Sequence, residues 1–259
     1  GVPAKMQELK AVARAKNIPI IEDCAEAWFS RDRSKIVGIS GDIATFSMHA
    51  TKTISAGEGG VILFRQKAVY DKARLIRSHG LDRSGIQYMH LLPGNNFRLS
   101  NVLCAIAVAQ LEAREEIIAR QMNNAATMLA GLKNMPGVNL QYGVDHTGVL
   151  PWAVGVRIDT VLTGCDRDTV AEALRAAGVE TRPGFYSAQT FPFNEEVYLS
   201  TPVSNRLHGE ILVLPCPLGL EDNQVEVICK QLVNVAQKSS RQTEIRLIRN
   251  DDIHTAGLQ

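Results

Sequence analysis

An α/β fold, with a mainly parallel sheet in a large domain followed by a small α+β domain, is predicted for this 259-residue chain. Three features predict it. An amphipathic helical stretch runs directly into a short apolar run ending in acidic residues, as a helix leading into a buried parallel strand would. Two further strand candidates come before residue 65. The pattern then changes character after Pro136-Gly137.

Ala4 to Lys16 reads as a helix, with Met6, Leu9, Val12 and Ala13 on one stripe. Ile18 to Ile21 is the first strand candidate, and it ends in Glu22-Asp23. Those carboxylates would stand at the sheet's carboxyl edge, where open α/β sheets bind their ligands. Asp42 to Ser47 and Val61 to Phe64 are the next strands, and Lys67 to Arg77 is a helix. Asn101 to about Leu132 has helical spacing throughout, closed by Pro136-Gly137. Beyond it come a strand at Ala153 to Ile158 and a helix at Asp166 to Ala177, with Asp166 as N-cap and Gly178 as C-cap. A strand at Leu212 to Leu214 and a helix at Glu221 to Gln237 complete the pattern. The expected division is a large domain at 1–137, a small domain at 138–238 and a tail at 239–259. The tail carries Arg241, Arg246 and Arg249 without a long apolar face, and is partly ordered or packed on a neighbour.

Composition excludes several classes. A net charge of +1 offers no reason for nucleic acid or an anionic membrane as the main partner. No apolar run approaches the roughly 18 residues of a membrane span, and GVPAKMQELK lacks the apolar core of a secretory signal. The five cysteines are scattered, without a CxxC pair, which argues against a disulfide framework or zinc site. Reduced, mostly buried thiols in a cytoplasmic protein are expected, with Cys24 and Cys104 in apolar surroundings. His90, His146, His208 and His254 have no metal-site spacing.

The stretch FSMHATKTISAGEGG, Phe46 to Gly60, sets one lysine, Lys52, between a strand carrying Ser47 and His49 and a glycine-rich turn. Taken alone, a single lysine is most often solvated; glycines beside it let backbone pass close to a ligand. This stretch, with EDCAEA (Glu22 to Ala27), GNNFRLSNVLCAIAVAQLE (Gly94 to Glu112), ETRPGFYSAQTFPF (Glu180 to Phe193) and VLPCPLGL (Val213 to Leu220), resembles the DegT/DnrJ/StrS family. These are pyridoxal 5'-phosphate-dependent sugar aminotransferases of fold type I, and the resemblance extends from Gly1 to about Lys238.

The resemblance implies a site residue by residue. Lys52 matches the family's Schiff-base lysine, an amine that forms an imine with the cofactor aldehyde and, once displaced, moves a proton between two carbons. Asp23 matches the aspartate facing the pyridine nitrogen, whose charge keeps that nitrogen protonated; otherwise it is a strand-end carboxylate capping the next helix. Ser47 matches the phosphate-binding serine, and Asn96 an asparagine that reaches the phosphate of the neighbouring subunit. Glu26 departs from the pattern, since the family more often has glutamine near the ring oxygen. It is protonated, turned away, or a sign of an altered site. Arg98 is a candidate for an anionic group of the substrate or a structural ion pair, and Tyr186 lies in the segment contributing to the sugar side. His49 stacks, hydrogen-bonds or supports the loop, and His79-Gly80 resembles a structural family turn.

The implied reaction is amino transfer from a donor such as glutamate to a nucleotide-linked keto-sugar, for amino-sugar and surface-polysaccharide biosynthesis. The segment Glu180 to Phe193 looks most like members acting at C4 of 4-keto-6-deoxy sugars. A homodimer or higher oligomer is expected, because family active sites are shared between subunits. The sequence has no counterpart for the family's N-terminal glycine-rich helix start and ring-stacking aromatic residue. An incomplete large domain is therefore expected, the C-terminal part of an aminotransferase whose remaining portion lies on another chain or is not contained in this sequence. The alternative is a truncated, inactive member serving as a binding or assembly module. A related sugar dehydratase is disfavoured, because those replace the lysine with histidine and Lys52 is kept.

Overall fold

The computed structural model describes residues 1–82, 84–141, 148–192 and 200–235. The expected tail, His146, His254 and Phe193 lie outside the described residues. Two compact units are present, one holding residues 1–121 and 148–152, the other residues 122–141, 153–192 and 200–235 as far as they are described.

In the first unit, α1 (Met6–Ala15) leads to β1 (Ile21–Asp23), a short hairpin of β2 (Arg31–Asp32) and β3 (Lys35–Ile36), then β4 (Ile43–Ser47) and β5 (Gly60–Phe64). The main sheet has the order β1-β4-β5. β1 and β4 are parallel, pairing Ile21 with Ile43 and Asp23 with Thr45, whereas β4 and β5 are antiparallel. The expectation of a mainly parallel sheet is corrected here to a mixed one. The 47–60 connection holds no helix, and a helix-free link of this length returns the chain beside itself rather than carrying it across the sheet.

The first strand also differs from expectation. It begins at Ile21 rather than Ile18, because Ile18 N–H closes the end of α1 on the Ala13 carbonyl and Ile20 N–H is taken by the Asp42 carboxylate. It is not buried on both faces, since Ile18 and Ile21 are exposed. One face of β4 is buried through Ala44 and Phe46, and Trp28 packs on Phe46 with ring centroids 4.7 Å apart. Met48, Ile54 and Ala56 carry this core into the loop after β4.

α2 (Lys67–Arg77) matches the expected bounds. The long helical region divides into α3 (Asn101–Glu112) and α4 (Arg114–Leu132) at Ala113, where an Arg114 guanidinium N–H donates to the Leu111 carbonyl. Ser100 caps α3 by accepting from Leu103 N–H. α3 is apolar on all sides, yet only Ala107 is buried, and Val102, Ile106 and Val108 are exposed.

The second unit takes up α4 and adds β6 (Val138–Leu140), β7 (Val154–Ile158), α5 (Thr160–Thr163), α6 (Arg167–Ala176), β8 (Arg182–Pro183), α7 (Pro202–Glu210), β9 (Ile211–Leu214) and a helix α8 over residues 222–235. Its sheet has the order β6-β7-β9-β8, antiparallel throughout. Val154, Val156 and Ile158 alternate inward from β7 to meet Leu212 and Leu214 of β9 in a core that includes Met128, Leu132, Val170, Leu174, Val225 and Leu232. Asp166 caps α6 by accepting from Thr169 N–H at 2.8 Å, and Gly178 at φ +81° makes the left-handed exit.

The Thr169 bonds hold the Asp166 carboxyl below the ordinary carboxylate range. A depressed folded-state pKa contributes stability above the unfolded value, and that contribution is lost as pH falls through the folded value. Asp166→Ala is expected to lower unfolding free energy by about 1 kcal/mol at neutral pH. Urea titrations should show this difference shrinking in acid, below the ordinary carboxylate pKa; an equal loss at both pH values would contradict the cap's charge.

Candidate active site

β1 and β4 end side by side, and the turns leaving them form the site. Asp23 closes β1, and its Oδ1 accepts from Ala25 N–H at 3.0 Å, opening the turn that carries Glu26. Ser47 closes β4, and its Oγ accepts from His49 N–H at 3.2 Å. His49 Nδ1 lies 3.3 Å from Thr51 N and 3.2 Å from Thr51 Oγ, so the imidazole supports its own loop. Lys52 N–H donates to the His49 carbonyl, completing a tight turn. Buried Met48, Thr53, Ile54 and Ala56 anchor this turn. Gly59, at φ +121°, brings its backbone against the Leu99 side chain where a Cβ would clash at 2.8 Å, so this glycine serves the fold itself.

Lys52 therefore stands on a rigid loop with only 13% of its side chain exposed. Its Nζ donates to Glu26 Oε1 at 3.0 Å. Glu26 is thus turned toward the lysine, and an ion pair joins the two strand-end turns.

A residue with no local signal in the sequence completes the surroundings. Trp152 places its ring 3.9 Å, centroid to Nζ, from Lys52, and its Nε1 donates to the Thr51 carbonyl at 2.6 Å. The segment 148–152 is tied down at several points. Arg31 N–H donates to the Gly148 carbonyl, Leu150 N–H to Ser30 Oγ at 3.0 Å, and Gln121 Nε2 to the Pro151 carbonyl at 2.8 Å.

The other expected residues have contacts of their own. Asn96 Oδ1 accepts from Arg98 Nε at 3.0 Å, and the Asn96 backbone bridges Ser78. Arg98 thus pairs with an amide rather than a carboxylate. Tyr186 belongs to the second unit, where its ring lies 4.2 Å from that of His208. Cys104 is exposed rather than set in apolar surroundings.

Together, the cluster offers a shielded amine for a carbonyl, a strand-end carboxylate able to accept from a protonated ring nitrogen, and a hydroxyl for an anionic group. That donor set fits an aldehyde cofactor with a basic ring and a phosphate. Among the described residues, no group of three or more His, Cys, Asp or Glu could hold a metal ion.

Residues 1–233 match the model of the DegT/DnrJ/EryC1/StrS aminotransferase family. The chain belongs to this family. It is 34% identical over 233 residues to a GDP-perosamine synthase of Escherichia coli O157:H7, covering 90% of this chain and 62% of that relative. It is 35% identical over 239 residues to one of Caulobacter vibrioides, covering 91% and 63%. The chain therefore spans less than two thirds of the length of these relatives. The solved structure of DesI with its TDP-sugar product superimposes with a TM-score of 0.83 at 28% identity, over 95% of this chain and 62% of that one. Helicobacter pylori PseC shares the fold, with a TM-score of 0.85 at 18% identity over 91% and 64%. Among the described residues, no helix of this family member is long and apolar enough to cross a membrane.

Cys24 sits beside Asp23, and burial, with the Glu22 and Asp23 carboxylates, pushes its thiol up to about 11. Alkylation of the folded protein at neutral pH should modify exposed Cys104 first, with Cys24 at least about tenfold slower. Peptide mapping that found Cys24 modified as fast as Cys104 would overturn this placement.

Proposed function

We propose that this chain carries the lysine-bearing part of a pyridoxal 5'-phosphate-dependent aminotransferase that moves an amino group from a donor such as glutamate to a nucleotide-linked 4-keto-6-deoxy sugar. One observation carries the reading: Lys52 is held, shielded, at the sheet edge formed by the ends of β1 and β4, together with Asp23 and Ser47. Family membership supports it, as do relatives named GDP-perosamine synthase and a structural neighbour solved with its TDP-sugar product. The proposed domain assignment is a large cofactor-binding part at 1–137, a small domain at 138–238 and a tail.

When bound, the cofactor supplies an electron sink for the carbon that loses its proton. The chain's own residues do the rest. Lys52 Nζ would hold the cofactor through its aldehyde, with loss of water, and when free would carry a proton between carbons. Asp23 would accept from the ring N–H and stabilise its charge, a charge-assisted hydrogen bond. Ser47 Oγ would donate to the phosphate. Glu26 holds the Lys52 amine when it is free. Asn96 would act from a second copy of the chain and Arg98 on an anionic group of the substrate, and the exposed apolar sides of α3 support such an assembly. Tyr186 would contribute to the sugar side, as its segment does in the family. Further phosphate donors come from the part of the family fold outside the match, on this protein or on another chain.

Mixing the protein with pyridoxal 5'-phosphate should generate a visible absorbance band. Borohydride reduction and peptide mapping should then place the label on Lys52, and Lys52→Ala should abolish band and label with an unchanged circular dichroism spectrum. Label on another lysine would sink the assignment. In the cofactor-loaded protein, Asp23→Asn should lower amino transfer by about ten- to a hundredfold, the loss of one charge-assisted hydrogen bond. Unchanged turnover would remove Asp23 from this role.

A further inference from the structure

We infer that Trp152 and Glu26 form a resting place for the free Lys52 amine, making Trp152 a positioning residue for the reactive lysine. The inference rests on the proposed role of Lys52 as the cofactor's attachment point, and it concerns the amine whenever it is not bonded to the cofactor.

The amine of a lysine that alternates between bonded and free forms has to stay close to its target while free. A four-carbon stem allows many rotamers, and an ammonium facing water would adopt most of them. Here two contacts restrict it. Glu26 Oε1 accepts from Nζ at 3.0 Å, and the Trp152 ring centroid lies 3.9 Å from the same atom. That distance is well inside the range in which the negative face of an indole attracts a cation. The carboxylate gives direction and charge; the ring gives a flat floor that draws the ammonium without hydrogen-bonding it.

The floor is itself fixed. Trp152 Nε1 donates to the carbonyl of Thr51, the residue preceding the lysine. Lysine loop and tryptophan ring are therefore positioned against each other directly. On the other side, Pro151 accepts from Gln121, and Leu150 both donates to and accepts from the buried Ser30 hydroxyl. Of these bonds, that of Trp152 Nε1 to Thr51 reaches the lysine's own loop, and the others hold the segment that carries the ring.

The test compares an aromatic and an aliphatic replacement, Trp152→Phe and Trp152→Leu, in the protein without cofactor. Lys52 reactivity is read by brief reductive methylation and mass spectrometry of its peptide, with exposed Lys67 as the internal standard. Trp152→Leu is expected to raise Lys52 labelling about three- to tenfold relative to Lys67, the range a partly buried cation–π contact implies. Trp152→Phe retains an aromatic face and should stay within about twofold of wild type. Glu26→Gln should also raise the labelling. If Trp152→Leu leaves Lys52 as protected as wild type, or if Phe and Leu behave alike, the ring acts only as bulk and the inference falls. Because labelling needs no cofactor, its outcome is separate from that of the functional reading. A wild-type protein that never develops the visible band even at high cofactor concentration would defeat that reading whatever the labelling shows.

Discussion

The parallel register of β1 against β4 is the constraint on which the site depends. It is set outside the ladder as much as within it. Ile20 and Asp42 bond reciprocally, Ile20 N–H to the Asp42 carboxylate and Asp42 N–H to the Ile20 carbonyl. The Glu22 carboxylate, 7% exposed, accepts from Gly38 N–H at 2.9 Å, Ser40 N–H at 2.6 Å and Gly41 N–H as well. A buried carboxylate is tolerated because three backbone donors satisfy it, and removing it would leave those donors without partners. The turn before β4 is thereby pinned to β1. A slip of one residue would exchange the faces of the strand and move Asp23 and Ser47 off the shared edge.

The adjacent residues Glu22 and Asp23 consequently have different work. Strand alternation sends one inward to hold the sheet together and leaves the other exposed at the edge. Farther along, Lys52 is defined by three pieces of chain. Its own loop comes from β4, its carboxylate from the turn after β1, and its aromatic floor from a segment about a hundred residues later.

Features written in local chemistry were legible in the sequence. The bounds of α2, the Asp166 cap and Gly178 exit of α6, and the strand at β7 all obey short-range rules and are present as expected. Lys52, Asp23, Glu26, Ser47 and His49 were legible as one constellation through motif resemblance, and the structure sets them on neighbouring strand-end turns. The features that were not legible depend on distant partners. Ile18 and Ile20 look like strand but are diverted by Ala13 and Asp42. The antiparallel sense of β5 comes from the missing helix between Ser47 and Gly60, a feature visible in the sequence but outweighed by the apolar run beside it. The direction of Glu26 and the place of Trp152 required coordinates, because nothing near either residue names Lys52.

The return of residues 148–152 to the first unit has a consequence for how the protein is made. The bonds from Ser30 to Leu150 and from Arg31 to Gly148 join positions about 120 residues apart. A ribosome must synthesise the lysine loop, α3 and all of α4 before the indole that covers Lys52 emerges from the exit tunnel. Until then the amine has a charge partner but no roof, and the apolar sides of Val149 and Leu150 are not yet available to close the base of the unit. Closing so long a loop is entropically slow compared with forming the local turns. Nascent chains should therefore hold a formed sheet edge for some time before Lys52 is sheltered, and that interval is when a chaperone would have most to protect.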